Sequence, residues 1–102
     1  MVVRISTGHF EADRYEAVAA LLREGGDRLI PAIEELPGCL HYYAGIDRDA
    51  GTIVNVSVWD TREHALQMAS LAEMQAEGAR MRALAVRFEP IVNYETVWDI
   101  RG

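Results

Sequence analysis

The sequence predicts an α+β domain of the ferredoxin-like βαββαβ type, a four-stranded antiparallel sheet with two helices on one face. Three observations carry the prediction. Four segments alternate in residue character as half-buried strands do, two longer segments place apolar residues at helical spacing, and their order is strand, helix, strand, strand, helix, strand.

Val2 to Gly8 is the first strand, with Val3, Ile5 and Thr7 pointing one way and Val2, Arg4 and Ser6 the other. Asp13 and Glu16 have the spacing of a capping box, and Ala12, Tyr15, Val18, Ala19 and Leu22 follow at helical intervals, so a helix begins near Asp13. Each of Gly25 and Gly26 costs about 1 kcal/mol in a helix interior, and Pro31 removes a backbone bond. A break or kink is therefore expected between Gly25 and Pro31, before the helix stops at Pro37-Gly38. Leu40 to Ile46 and Ile53 to Trp59 form a β-hairpin across the turn-forming stretch Asp47 to Thr52. With Gly51 as the left-handed residue of a bulged turn, Tyr43 lies opposite Asn55 and His41 opposite Ser57; Leu40, Tyr42, Val54, Val56 and Val58 take the other face. Asp60 or Thr61 caps a second helix whose apolar residues run from Ala65 to Phe88, ending before Pro90. Ile91 to Ile100 is the fourth strand, with Val92, Tyr94, Thr96, Trp98 and Ile100 on one side. The helices cover one sheet face. The other carries β-branched residues too regular to leave in water, which predicts a homodimer.

Length and composition set the remaining bounds. The 102 residues suit a single domain spanning 1–102, half hydrophobic and a quarter charged. A net charge of −6 argues against a general grip on nucleic acid or an anionic membrane surface. Cys39 is the only cysteine, so no disulfide forms within the chain. The N-terminus leads directly into a strand and no apolar run reaches membrane-spanning length, so a cytoplasmic protein is expected. The histidines and acidic residues have no metal-ligand spacing, and no phosphate-binding glycine loop is present, so no metal or cofactor is expected.

The turn Leu36-Pro37-Gly38-Cys39-Leu40, the strand end Asn55-Val56-Ser57-Val58-Trp59-Asp60 and the helix start Glu63-His64-Ala65-Leu66 resemble the antibiotic biosynthesis monooxygenase-like family of dimeric α+β barrels. The resemblance implies two subunits packed sheet to sheet, each holding a small ligand between sheet and helices. It also implies the activities of that family, among them oxidation of polyketide phenols to quinones without metal or flavin. Its quinone-forming members use an asparagine and a tryptophan four residues apart on the third strand, here Asn55 and Trp59, with an arginine and a tyrosine from the second helical region. Arg80 and Arg82 are candidates for the arginine; no tyrosine lies between Trp59 and Pro90. The haem-degrading branch uses a histidine well along the second helix, where this chain has only His64, at the helix start.

Each candidate also has a structural reading. Asn55 among valines either donates to an anionic intermediate or makes a cross-strand or interface bond with Tyr43 or Ser57. Trp59 either donates its indole N–H to the same anion or anchors the core. His41 and Tyr43 form a proton-transfer pair or polar residues of an interface. His9 and His64 read as surface or rim residues. Met68, Met74 and Met81, at roughly helical spacing, either pack the core or line a pocket with Tyr42, Trp59 and Phe88 suited to a flat aromatic ligand. The resemblance therefore implies a cofactor-free monooxygenase acting on a small phenol or hydroquinone through Asn55 and Trp59, with His41, Tyr43 or an arginine of the second helix, Arg80 foremost, assisting deprotonation. The alternative is a dimeric, non-catalytic or stress-associated module holding a small hydrophobic ligand.

Overall fold

In the computed structural model, which describes residues 1–102, the elements run β1 (Val2–His9), α1 (Tyr15–Glu34), β2 (Cys39–Asp47), β3 (Thr52–Trp59), α2 (Arg62–Leu66), α3 (Ala72–Ala83), β4 (Arg87–Phe88) and β5 (Val92–Glu95). The sheet is antiparallel in the order β2-β3-β1-β4, and β5 pairs with the same edge of β1 as β4. Together β4 and β5 occupy one edge position, interrupted at Pro90, which has no N–H to give a ladder. The four strand positions, with the helices in one layer on one face, make the ferredoxin-like α+β fold that the element order predicts.

The hairpin register differs from expectation by one residue. Tyr43 pairs with Val56, Tyr42 with Ser57 and Ala44 with Asn55. The reason lies in the turn: Asp47 and Thr52 close the ladder, Asp47 Oδ1 accepts from the backbone N–H groups of Asp49 and Ala50, and Gly51 takes φ +67°. Four residues rather than five separate the paired ends, and a bulge at Leu40 absorbs the offset where β2 begins. The slip moves Tyr42 to the helix-covered face beside Asn55 and Ser57. It sends His41 and Tyr43 to the opposite face with Val54, Val56 and Val58.

The helices also depart from the sequence reading. α1 runs unbroken through Gly25, Gly26 and Pro31. Gly25 is buried where α1 meets α3, and a Cβ there would lie 2.8 Å from Glu77 Oε2, so its lack of a side chain permits the helices' approach. Glu77, itself buried, accepts from Arg28 Nε at 2.5 Å and from Arg80 Nη1 at 2.6 Å. This clamp outweighs the glycine penalty, while the exposed Pro31 frees a carbonyl on the solvent side. The Asp13 box makes no side-chain cap; a 3₁₀ turn at Ala12–Arg14 leads into α1 instead. Thr61 does cap α2, its hydroxyl accepting from His64 N at 3.1 Å. The expected single second helix is two, separated by a 3₁₀ turn and by Leu71 in extended conformation, and it ends at Ala83 rather than Phe88. Ala85 reverses the chain at φ +64°, and Phe88 then joins the sheet. The last strand stops at Glu95, leaving Val97, Trp98 and Ile100 exposed.

The core is two clusters rather than one. Val2, Ile33, Trp59, Ala65 and Met68 pack at one end of the sheet, and Phe10, Val18, Ile53, Met81 and Val86 at the other. The space between them positions the site.

Candidate functional site

Between the two clusters the helix-covered face of the sheet carries polar side chains in two rows. The paired positions Tyr42, Ser57, Arg4 and Asn93 cross four strands as one row, and Ala44, Asn55 and Ser6 form the next. Above this band lies a cavity of about 360 Å³, roofed by Leu22 and Leu29 of α1 and by Met74 and Met81 of α3, with Met68 and Phe88 at its sides. A polar floor beneath an apolar roof is the usual composition of a small-molecule site.

Arg4 is the group that sequence reasoning passed over. It is only 8 % exposed, yet no carboxylate lies within ion-pair distance; its one side-chain hydrogen bond is from Nη1 to Asn93 Oδ1 at 3.2 Å. Burial lowers its pKa from the usual arginine value, although an arginine stays charged at neutral pH. Across the row, burial pushes the Tyr42 phenol up to about 12, against which the Arg4 charge works only partly. Tyr42 therefore remains a protonated donor at neutral pH. Ser57 Oγ accepts the Trp59 indole N–H at 2.8 Å.

The Tyr42 shift fixes a pH dependence. The unfolded chain ionises this phenol near 10 while the folded one holds its proton to about 12, so the stabilisation is complete below pH 10 and is lost as pH rises toward 12. Thermal unfolding across this window should show a loss on the order of 2–3 kcal/mol that Tyr42→Phe lacks. The chain contains no lysine to complicate the titration.

The candidate residues divide between the two sides of the sheet. Asn55 lies on the cavity floor, and its side-chain amide bonds neither Tyr43 nor Ser57. Trp59 is fully buried in the first cluster and does not line the cavity. Arg80 is held by Glu77 outside the lining, whereas Arg82 contributes to it. His41 and Tyr43 stack on each other on the opposite face, ring centroids 6.0 Å apart, and Tyr43 is 58 % exposed. Of the six residues expected around a flat ligand, Tyr42, Met68, Met74, Met81 and Phe88 line the cavity and Trp59 does not. At the rim, Glu89 also lines it and its carboxylate meets His9 Nε2 at 2.6 Å.

The Pro-Gly turn and strand-end residues hold a junction. Gly38 has φ +88°, and a Cβ there would collide with Asp60 Oδ1 and His64 Nδ1. His64 Nδ1 lies 2.6 Å from Asp60 Oδ1, a hydrogen bond that holds the Asp60 carboxyl below the usual range. Asp60 N donates to Gly38 O at 3.0 Å, and Gln67 Nε2 to Pro37 O at 2.9 Å. These residues fix where β2 starts, where β3 ends and how α2 departs. No group of three or more His, Cys, Asp and Glu side chains is arranged to hold a metal ion, and no helix is long and apolar enough to cross a membrane.

Solved structures share this architecture. A Deinococcus radiodurans protein described as a candidate antibiotic biosynthesis monooxygenase superposes with a TM-score of 0.76 at 21 % identity, over 99 % of this chain and 97 % of that one. A mutant of SnoaB, a cofactor-independent oxygenase from Streptomyces nogalater, gives 0.70 at 14 % identity over 99 % and 97 %. Rv0793 from Mycobacterium tuberculosis gives 0.70 at 17 % over 99 % and 100 %. At these identities the likeness shows the fold. Comparison with curated protein sequences finds no match. The family model "Antibiotic biosynthesis monooxygenase" matches residues 1–79, the stretch that builds β1, α1, the hairpin and most of the cavity, and the chain belongs to that family.

Proposed function

We propose that this protein is a cofactor-independent monooxygenase that oxidises a small phenol or hydroquinone in the cavity between its sheet and helices. The observation that carries the reading is Asn55: a mid-strand amide on the floor of a largely apolar cavity, with no side-chain hydrogen bond of its own. Half-buried and facing the cavity, this amide is free to bond a ligand there. Family membership and the fold shared with SnoaB point the same way.

In this reading Asn55 donates an N–H to the substrate phenolate, stabilising the anion as electron density moves into the ring. Glu89, the lining carboxylate not clamped between arginines, takes the phenolic proton at the rim beside His9. The ring carbon then bonds dioxygen, one oxygen atom stays as the quinone carbonyl, and the other leaves as water. The substrate supplies all four electrons, so a phenol plus O₂ gives a quinone plus H₂O with no external reductant. A second copy of the chain, seated on the opposite sheet face, leaves this cavity to each subunit.

A non-catalytic ligand-binding role is the second reading, favoured by one observation. Of the six residues offered for chemistry from sequence, Asn55, Trp59, His41, Tyr43, Arg80 and Arg82, only Asn55 and Arg82 line the cavity. Asn55→Ala separates the two. The variant should keep its fold and its affinity for phenols while turnover falls about 10²-fold. No turnover in the unsubstituted protein, across a panel of phenols and hydroquinones that do bind, would establish the binding role instead.

A further inference from the structure

Arg4 stands in the wall of the cavity with an unbalanced charge. Buried charges in folded proteins are paired or ligated, because removing a lone ion from water is costly. Here the buried carboxylate nearest in kind, Glu77, is taken by Arg28 and Arg80, and Glu89 faces His9. Around Arg4 the row offers donors: the Tyr42 phenol stays protonated, and the Ser57 hydroxyl accepts the Trp59 N–H, leaving its own hydrogen free. Arg82 adds a second positive charge to the lining.

We infer that the natural ligand is an aromatic acid whose carboxylate docks on Arg4, the inference resting on the reading that this cavity is the ligand site. The guanidinium has the planar fork that matches a carboxylate in bidentate fashion. Arg4 pairs with Ser57 in the sheet and Ser6 with Asn55, so Arg4 and Asn55 leave the sheet two residues apart along the strand direction, a backbone spacing of about 7 Å. That offset lets one flat ring system present an acid group toward Arg4 at one end and a phenol toward Asn55 at the other. Its faces lie between the polar floor and the methionines above. Arg4 is thus a specificity-determining residue, acting on which phenol enters rather than on the reacting oxygen.

The test uses 6-hydroxy-2-naphthoate and its methyl ester as probes, with binding to the intact protein measured by calorimetry at pH 7.5. The acid should bind at least about tenfold more tightly than the ester, a difference the charge-assisted contact accounts for. Arg4→Met should erase that preference while keeping ester affinity, and should raise Tm because the unpaired buried charge is gone. Arg4→Lys, which keeps the charge but not the fork, should retain a smaller preference and guards against a Met variant that folds badly. Equal affinity for acid and ester, or a preference that survives in Arg4→Met, would overturn the role of Arg4 and leave the cavity as a site for neutral phenols. Binding of neither probe would overturn the cavity as the ligand site, and this inference with it.

Discussion

Trp59→Ala should lose about 3–5 kcal/mol of stability, the range for removing a large aromatic side chain from a closed core. Trp59 is 0 % exposed and packs with Val2, Ile33, Ala65 and Met68, where β3 hands the chain to α2. Its removal opens a void in the cluster that seats the end of α1 and all of α2 on the sheet, and it strands the Ser57 hydroxyl without its donor. For a chain of this length the expected fall in Tm is more than about 10 °C, measured by thermal or urea unfolding. Trp59→Phe refills most of the volume and should cost much less. If the indole served the reaction directly, Trp59→Phe would lose activity in proportion to a missing donor while staying folded. With the N–H already given to Ser57, turnover should instead change by less than about threefold, well below the loss for a true oxyanion donor.

We expect two copies to pair through the sheet face that carries no helix, and Val56→Asp should split that dimer into monomers. Val56 stands at the centre of the sheet face that carries no helix, paired with Tyr43 on one side and Ile5 on the other. Val3, Val54, Val58 and Val92 continue the apolar surface around it. Two copies meeting on this face bring two carboxylates into one dry interface, and each loses water without gaining a counter-ion. Light scattering at micromolar concentration should give twice the chain mass for the unsubstituted protein and the single mass for the variant. Because Val56 and Asn55 point to opposite faces, the variant should retain the cavity. Equal masses for the two proteins would mean that the face is not an interface.

The architecture was legible because alternation and helical spacing survive in a single sequence. Val3, Ile5 and Thr7, or Tyr15, Val18, Ala19 and Leu22, announce an element whatever it packs against. The parts misread depend on what lies across space. Gly25 reads as a helix breaker until Glu77 and Arg28 are seen to clamp α1 to α3 at that point. Tyr42 changes faces through one residue of turn length, and period-two alternation has no memory of the loop that sets its phase. Arg4 and Ser6 alternate with Val3 and Ile5, a pattern that ordinarily marks a solvated face. Only the layer of helices above them turns that polar row into the floor of a site. The resemblance found the right family, and the asparagine it named, Asn55, lies on the cavity floor. The tryptophan it assigned to chemistry sits in the core, and the Pro-Gly motif holds a strand junction through Asp60 and His64.

A crystal structure of the protein grown with 6-hydroxy-2-naphthoate would decide which side of the sheet serves the ligand. The ring should lie between the methionines of α3 and the polar rows, its phenol oxygen within hydrogen-bond distance of Asn55, while a second chain covers Val56. A ligand held against Tyr43 and Val56, with the helix-side cavity unfilled, would contradict that division of the sheet.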